Sequence, residues 1–353
     1  LWPTVRTEFM VAMQHHDFGS VSLPAAPATR VRTWAHIARS LFGSRWDSHG
    51  IREARAALYL VSGVTTYQAA GRTRNWLVGD YLDRYPSRSA LLQWRPIGPT
   101  PPAFPLTRSL EPMVIRSGLR ARFSRRSVDG ARVRVLVREF ADRLDDRLTN
   151  QQVDAISSTA IYAAATAQHQ QEAFARVLDA VDPRLVVMED ASYGTRGALI
   201  STMKARGILV VEPQHGWIGP THAAYNFGSA MSAPELSVTL PDELLTFGEY
   251  WSEGIRHPAP STAIGKPHLE TMATLAPRWS DRPREVLMVS SVTDPEAMTE
   301  FALALRRELP TDWLLRFRPH PSERPVVQNV YASMLAVPGI ALDEVSDVYE
   351  SLA

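Results

Sequence analysis

Two short polar segments carry residue types that could transfer a proton. Glu189 and Asp190 follow one apolar run, and Gln214-His215-Gly216 follows the next apolar run along the chain. A carboxylate pair beside a histidine is a typical general acid–base arrangement. The alternative is structural, because acidic residues after a strand are often solvated or cap the next helix. The sequence therefore predicts either a proton-transfer site or a polar strand-end loop here.

The surrounding segments should bring these residues together. Leu185–Met188 and Ile208–Val211 have the composition of buried strands, and a helix is predicted between them over residues 195–206. Gly207 stands where a helix C-terminal glycine belongs. Strand, helix and strand of this length form a βαβ unit with parallel, adjacent strands about 4.8 Å apart. Both polar segments should then lie at the carboxyl edge of the sheet, where open α/β sheets bind ligands.

A second candidate lies near the C-terminus, where His320 stands between Pro319 and Pro321. Proline restricts its own backbone and that of the residue before it, so this loop should be stiff and should hold a ligand contact at low entropic cost. Arg316 and Arg318 alternate along the preceding predicted strand, which favours an anion such as phosphate. The structural alternative is an exposed histidine in a rigid turn.

Ser290 and Ser291 form a small-residue loop before a predicted helix capped by Asp294. Backbone N–H groups at a helix N-terminus bind phosphate. We therefore interpret the two serines as contacts to the phosphate of a donor.

Several familiar patterns are absent from the sequence. There is no GxGxxG, no GxxxxGK[ST] and no GxSxG, so nothing favours a dinucleotide oxidoreductase, a P-loop ATPase or a serine hydrolase. No histidine–carboxylate cluster has metal-ligand spacing, and we expect neither a metal nor a cofactor. Eight arginines occur from Arg116 to Arg138, and no nucleic-acid-binding motif accompanies them. They favour a solvated helix surface over an anionic acceptor, a membrane surface or a nucleic-acid partner.

Length and composition set outer bounds. The chain has 353 residues, 45% hydrophobic and 21% charged, with a formal charge of +1 and no cysteine. This length predicts two domains, and the charge implies no general polyanion-binding field. Thiol nucleophiles and disulfides are excluded. No apolar stretch of about 18 residues and no signal-peptide pattern is present. We expect a cytoplasmic protein, with peripheral association at the inner membrane surface as the alternative.

Strand and helix patterns repeat in two parts of the chain. Helices are predicted over residues 75–85 and 151–180, and the proline-rich residues 96–112 should form a surface connection. The predicted strands are residues 57–61, 89–94, 185–188, 208–211, 244–247, 285–290, 313–317 and 339–342.

These patterns predict an α/β fold with two Rossmann-like domains, residues 1–265 and 266–353, that meet within residues 260–284. The chain begins at Leu1 and stops inside a predicted amphipathic helix. We therefore expect a fragment with an incomplete C-terminal domain.

Two Rossmann-like halves joined near Ile264–Glu270 resemble the GT-B glycosyltransferase fold. The acidic pair, the Gln214–Gly216 segment, Phe247–Trp251 and Arg318–Pro321 together are similar to bacterial surface-polysaccharide glycosyltransferases. An acidic pair with a later His-Pro resembles the two signature motifs of bacterial sialyltransferases and polysialyltransferases. The Gln-His-Gly segment also resembles the histidine-glycine element of teichoic-acid glycerophosphotransferases, where the histidine is essential to transfer.

The resemblance implies roles for individual residues. Asp190 would be the base for the acceptor hydroxyl with Glu189 as its neighbour, and His215 is the competing base. His320 would contact the donor phosphate. The further donor contacts would be Ser290, Ser291, Arg318 and Lys266, and the acceptor-side contacts Gln214 and Gly216.

The function implied is metal-independent, inverting transfer from a nucleotide-sugar, bound between the domains, to a cell-surface polysaccharide or glycolipid. Alternatives are a CDP-polyol phosphotransferase of teichoic-acid type and a non-catalytic nucleotide- or carbohydrate-binding relative. The last is favoured by Ala191, where the family motif has glycine, and by the absence of the later serine-rich nucleotide motif. A nucleotide-sugar 2-epimerase shares the fold, but it would need several carboxylates around the sugar, and the sequence shows one clear pair.

Overall fold

The computed structural model describes residues 2–18, 51, 53–124, 128–144, 148–290, 294–321 and 323–352. The chain divides into two compact units. Residues 2–14 and 51–266 belong to the first unit, and the second is built on residues 267–352. Each unit has its own parallel sheet.

The first unit is organised on a seven-stranded sheet with the order β5-β4-β1-β6-β7-β8-β9, in which every pairing is parallel. A separate antiparallel hairpin consists of β2 and β3. The nine strands are β1 (Ala57–Val61), β2 (Thr66–Ala69), β3 (Arg72–Asn75), β4 (Ser89–Gln93), β5 (Thr107–Ser109), β6 (Leu185–Met188), β7 (Leu209–Pro213), β8 (Glu243–Thr246) and β9 (Ser261–Ala263).

Helices cover both faces of this sheet, which explains why its central strands are apolar runs rather than alternating patterns. Leu58 and Leu60 pack on one face against long helices, whereas Tyr59 and Val61 pack on the other. The helices of this part of the chain are α1 (Trp2–Phe18), α2 (Gly79–Arg84), α3 (Glu111–Ser124), α4 (Gly130–Asp142), α5 (Asn150–Val181), α6 (Gly197–Lys204), α7 (Pro234–Ser237) and α8 (Tyr250–Glu253).

The βαβ unit that carries the acidic pair is present. Strands β6 and β7 are parallel neighbours, with Val186 opposite Val210. Gly207 has the positive φ of 72° expected after a helix. The helix between the strands is shorter than predicted because a 3₁₀ turn at Ala191–Tyr193 and the left-handed Gly194 precede it.

Elsewhere in the first unit, the secondary structure was predicted correctly where the sequence pattern extends over many residues. The predicted helix over 151–180 is α5, which begins with a capping box between Thr149 and Gln152. The predicted helix over 75–85 is confirmed over α2 (Gly79–Arg84) and is wrong at its start, where Asn75 ends β3. The Ala70-Gly71 turn of the β2–β3 hairpin has two positive φ angles, 49° and 69°. Such a turn joins two paired strands, so Asn75 belongs to the hairpin and not to the helix.

The proline-rich segment is also more regular than predicted. Thr107–Ser109 contain no proline and form the edge strand β5, paired with β4. Glu111 begins α3 with Pro112 in its first turn, where a missing backbone N–H costs nothing. Proline therefore marks the two ends of this connection and does not exclude regular structure within it.

The second unit is a three-stranded parallel sheet in the order β10-β11-β12, which packs with its helices around Phe317 and Tyr331. As predicted, Asp294 caps a helix that begins with Pro295. Its elements are α9 (Pro267–Leu275), β10 (Glu285–Val289), α10 (Pro295–Glu308), β11 (Leu314–Arg318), α11 (Val327–Val330), α12 (Ala332–Leu335), β12 (Ile340–Leu342) and α13 (Val348–Leu352).

Two α/β units, each with a parallel sheet, match the predicted GT-B-like Rossmann architecture. No helix within the described ranges is both long and apolar enough to cross a membrane.

Candidate active site

The predicted proton-transfer residues meet at the carboxyl edge of β6 and β7. The Asp190 carboxylate oxygen Oδ1 lies 3.2 Å from Nε2 of His215. Asp190 has a left-handed backbone, with φ 62°, which turns the chain sharply at the end of β6. Its side chain is 37% exposed, and that of His215 is 20% exposed. The pair combines an accessible carboxylate with a mostly buried imidazole.

One nitrogen of the His215 ring has a hydrogen-bond partner, and the other has none among the described residues. Burial lowers its pKa, with Asp190 acting in the opposite direction and Lys266 adding to the decrease. A neutral imidazole beside a carboxylate donates a hydrogen bond to it, so the ring proton is on Nε2 and points to Asp190. Nδ1 is buried and has no hydrogen-bond partner among the described residues. The histidine therefore orients Asp190 through Nε2 and keeps Nδ1 as an unused acceptor.

Glu189 is adjacent in sequence but differs in role. Its buried carboxylate accepts hydrogen bonds from the Ser62 backbone N–H at 2.6 Å, from Ser62 Oγ at 2.9 Å and from Thr65 Oγ1 at 3.3 Å. Burial, followed by the charge of Asp190, raises the pKa of Glu189 to about 7. These contacts join the end of β6 to the segment after β1, so Glu189 holds the site together and does not face solvent.

Gln214 and Gly216, the predicted acceptor contacts, lie in the loop after β7. The buried Gln214 side chain donates to Gly216 O at 2.9 Å and accepts from the Phe247 backbone N–H at 2.8 Å. Gln214 thus links the ends of β7 and β8 and fixes the loop that carries His215. A side chain at Gly216 would enter open space.

A third carboxylate, Glu212 on β7, was missed from the sequence. It is buried and accepts from the backbone N–H of Ser192 at 2.9 Å, from the Ser192 hydroxyl and from Tyr225 OH at 2.8 Å. Burial raises the pKa of Glu212 to about 8. The signal was available, because an acidic residue inside the run Leu209–Pro213 has to be buried when that run is a central strand.

His257 extends this buried network. Its Nδ1 accepts from the Ala259 backbone N–H at 3.0 Å, so a neutral ring carries its proton on Nε2, which lies 2.9 Å from Ser192 Oγ. Burial lowers the pKa of His257 to about 4. Ser192 Oγ therefore accepts a hydrogen bond from His257 Nε2–H and donates one to the Glu212 carboxylate. The network braces the turn after Asp190.

Lys266, predicted to contact the donor, belongs to the first unit. Its buried ammonium lies 4.0 Å from the centre of the Trp76 ring and 4.4 Å from that of Phe247. Aromatic faces stabilise a cation in such positions. Since Lys266 also lowers the pKa of His215, it contributes positive potential to the site.

A cavity lies at the same sheet edge, between the β2–β3 hairpin, α2 and the proline-rich loop. Its walls include Gly63 after β1, Asn75 at the end of β3 and Gln93 at the end of β4. Asn75 donates to Thr65 Oγ1 at 2.9 Å, and Thr65 in turn contacts Glu189. One hydrogen-bonded path therefore connects the cavity wall to the acidic pair.

In the second unit, His320 lies in the loop after β11, and its backbone is hydrogen-bonded to Glu323. The His320 side chain is exposed. Its backbone N–H donates to the Glu323 carboxylate at 2.7 Å, and its carbonyl accepts from the Glu323 N–H at 2.9 Å. Glu323 is itself buried and bound by Tyr331 OH. The sequence did not suggest this buried glutamate, whose hydrogen bonds hold the His320 backbone.

Arg318, predicted to bind the donor, is buried and bound within its own unit. It donates to Asp343 at 2.7 Å, to Val345 O at 2.8 Å, to Ser351 Oγ at 2.8 Å and to Ser346 O at 3.1 Å. This geometry favours a structural role, in which the anion is a carboxylate of the chain.

The remaining predicted donor contacts are the two serines. Ser290 is buried, and its backbone N–H donates to Arg318 O at 2.9 Å. Ser291 lies outside the described residues. Within the described ranges, no group of three or more histidine, aspartate or glutamate side chains could hold a metal ion.

No protein-family model and no curated protein matches this chain. Solved structures do match it. A UDP-N-acetylglucosamine 2-epimerase from Rickettsia bellii is 11% identical over 85% of this chain and 71% of that chain, with a TM-score of 0.42. A putative UDP-N-acetylglucosamine 2-epimerase from Listeria monocytogenes is 12% identical over 84% and 71%, with a TM-score of 0.42. No residue here takes its role from these similarities.

Proposed function

We propose that this chain is an inverting, metal-independent glycosyltransferase of GT-B type. It transfers a sugar from a nucleotide-sugar to a hydroxyl of a cell-surface polysaccharide or glycolipid. The observation that carries the proposal is the Asp190–His215 pair at the carboxyl edge of the first sheet. An accessible carboxylate oriented by a histidine suits the deprotonation of an acceptor hydroxyl.

Exposure favours Asp190 over His215 as the base. His215 Nδ1 is shielded, and its Nε2–H is committed to Asp190. His215 holds Oδ1, so Oδ2 is left for the acceptor. The acceptor oxygen attacks the anomeric carbon, its proton passes to Asp190, and the bond from that carbon to the donor phosphate oxygen breaks. General base catalysis of this kind contributes about 10²–10⁴-fold to a rate.

On the donor side we keep His320 as the contact to the leaving phosphate. Its exposed ring on a loop fixed by Glu323 supports this role, because a pre-ordered group binds at lower entropic cost. We leave Arg318 out of the donor site, since its guanidinium already binds Asp343, Ser351 and two carbonyls.

A donor panel tests this function. The purified protein is incubated with UDP-, GDP- and CMP-sugars and with CDP-glycerol, together with an oligosaccharide mixture. Released nucleotide and product mass are then measured by mass spectrometry. We expect one nucleotide-sugar to release its nucleotide and to extend an acceptor by the mass of a sugar. A product that gains glycerol phosphate would establish the polyol phosphotransferase instead. No release from any donor would overturn both.

A 2-epimerase is the second candidate, and one observation favours it. Glu212 adds a third carboxylate beside Glu189 and Asp190, and the charge of Asp190 acts on both glutamates. The test is incubation with UDP-N-acetylglucosamine alone in deuterated water. Deuterium incorporation at the sugar C2, without any acceptor, would establish the epimerase and overturn the transferase.

A further inference from the structure

Trp217 is exposed and yet held in one position. Its side chain lies two residues after His215 and is 58% exposed. The indole lies over Gly219, where an added Cβ would stand 2.5 Å from Cζ2, too close for any side chain. The ring of His222 packs against the indole, with centroids 6.1 Å apart. The indole is therefore packed against its neighbours on one side and leaves a flat apolar surface available for contact with a ligand.

A continuous row of rings joins this indole to His215, the hydrogen-bond partner of the proposed base Asp190. The Tyr193 ring lies 5.7 Å from that of His222 and 5.8 Å from that of His215. Tyr193 OH and His222 Nε2 are 3.2 Å apart, and His222 Nδ1 accepts from the Ala224 backbone N–H at 3.3 Å. These contacts fix the His222 ring, which in turn supports the indole. Trp217 is therefore placed relative to the Asp190–His215 pair through packed side chains.

We propose that Trp217 is a binding residue for the acceptor, and that its indole face stacks on the apolar C–H face of a pyranose ring. This inference rests on the proposed transferase function. The site adjoining Trp217 holds the base, and the base acts on the acceptor hydroxyl, so a sugar stacked on this ring belongs to the acceptor. The indole is rigid and flat, so it offers a large contact area at a small entropic cost.

Binding is tested first, in the absence of any nucleotide. The protein is labelled with 5-fluorotryptophan, and the Trp217 resonance is assigned from Trp217→Phe. Chitotetraose, maltotetraose, cellotetraose and α2,8-linked tetrasialic acid are then titrated in turn. We expect at least one to shift the Trp217 signal. Trp279, which is 84% exposed and lies beside Arg282, is the internal control and should not shift. Titrations that leave Trp217 unshifted, or that shift both signals equally, would overturn the inference.

Two glycine variants test the position of the indole without removing it. Gly219→Ala forces the indole to move, whereas Gly228→Ala adds a methyl group in open space. Neither glycine has the positive φ that would make alanine strained. We expect Gly219→Ala to weaken binding of the titrated oligosaccharide about tenfold, equivalent to about 1.4 kcal/mol. Gly228→Ala should bind as the wild type does, and equal binding by both variants would contradict the proposal.

The two proposals fail in distinguishable ways. If an oligosaccharide shifts Trp217 but no donor is turned over, the acceptor site stands and the transferase function falls. If transfer occurs but Gly219→Ala leaves the KM for the acceptor unchanged, the function stands and the role of Trp217 falls. The expected result is a KM for the acceptor raised about tenfold in Gly219→Ala, with kcat nearly unchanged.

Discussion

Two histidine–aspartate pairs in this chain contain the same groups in opposite surroundings. In the first unit, Asp190 and His215 are 3.2 Å apart with side chains 37% and 20% exposed. In the second unit, His268 and Asp347 are 2.7 Å apart with side chains 4% and 2% exposed. The second pair is shorter and more buried. Contact geometry alone would rank it as the better site, so exposure has to decide.

The two pairs also differ in what surrounds them. The second oxygen of Asp347 accepts from the Tyr349 backbone N–H at 3.0 Å, and the Tyr349 ring packs edge-on against His268. Asp190, in contrast, adopts a left-handed backbone, and His215 keeps a buried nitrogen without a partner. A buried pair such as His268–Asp347, here called the closed pair, stabilises the fold. A partly exposed pair such as Asp190–His215 can exchange a proton with a ligand. We therefore expect Asp190–His215 to act in catalysis and His268–Asp347 to stabilise the fold.

The largest expected effect is on activity, at Asp190. Asp190→Asn keeps the shape and removes the base, so we expect transfer to fall by about 10³-fold, equivalent to about 4 kcal/mol of transition-state stabilisation. The unfolding midpoint in urea should change little, because the asparagine oxygen can still accept the hydrogen bond from His215 Nε2–H, and such a bond contributes only about 1 kcal/mol. The rate of nucleotide release with donor and acceptor present is the measurement.

Asp182 provides a matched control. It is exposed and also left-handed, with φ 47°, at the end of α5. Asp182→Asn therefore repeats the same change in the same backbone conformation. Equal losses of activity in the two variants would remove the case for a special role of Asp190.

The next effect is on stability, at the closed pair. His268→Ala leaves the buried Asp347 carboxylate without its partner, and a buried charge left in this way costs about 3 kcal/mol. Urea unfolding of the whole chain measures the change. The control is Asp312→Asn, because Asp312 binds Arg284 at the surface with side chains 50% and 68% exposed. Asp312→Asn should lower the free energy of unfolding by less than about 1 kcal/mol. A similar cost in both would show that burial does not separate the pairs.

Some of this could be predicted from the sequence because the signals are local. The βαβ unit of residues 185–213 has two apolar runs, a helix between them and Gly207 in the required left-handed conformation. Parallel strands bring their ends together automatically, so the neighbourhood of Asp190 and His215 followed from the topology. The flanking prolines likewise predicted a stiff loop at His320.

The rest depends on contacts between distant segments. Glu212 is bound by Ser192 and Tyr225, 20 and 13 residues away, and His268 is bound by Asp347, 79 residues away. No periodicity connects such residues. The alternating Arg316 and Arg318 predicted a bound anion such as phosphate, and in the structure both arginines bind Asp343. The sequence could not show that the anion is Asp343, a carboxylate of the same unit.

A smaller effect concerns the buried carboxyl group of Glu212. Its pKa of about 8 in the folded chain exceeds the ordinary value of 4.5. Between these values the folded state keeps a proton that the unfolded state releases, so the free energy of unfolding falls as pH rises. One group contributes at most about 1.4 kcal/mol per pH unit. Glu212→Gln cannot ionise and should lose this part of the slope, so the variant gains stability relative to the wild type from pH 5 to pH 8.

Asp343 is the opposite case and serves as the check. Burial alone would raise its pKa, but hydrogen bonds from Ser351 and Arg318 outweigh burial and lower it. Asp343→Asn should therefore lose stability relative to the wild type above the ordinary pKa of an aspartate, and this difference should fade in acid. Urea midpoints of Glu212→Gln from pH 5 to pH 8, and of Asp343→Asn from pH 5 down through the ordinary pKa of an aspartate, measure the two signs. Parallel curves for Glu212→Gln and the wild type would show that Glu212 is ionised in the folded protein.

The smallest expected effect is on stability at Asp190 and sharpens the comparison most directly. A left-handed backbone costs a non-glycine residue about 1 kcal/mol, and glycine avoids this cost. Asp190→Gly removes this strain but also removes the acceptor of the hydrogen bond from His215 Nε2–H, which contributes about 1 kcal/mol. We therefore expect little net change in stability together with loss of transfer. Asp182→Gly should gain about 0.5–1 kcal/mol and keep full activity. Loss of activity without loss of stability at Asp190 would show that the strained turn is retained for its chemistry. A clear loss of stability in Asp190→Gly would instead place Asp190 with the His268–Asp347 pair, as a residue that holds the fold together.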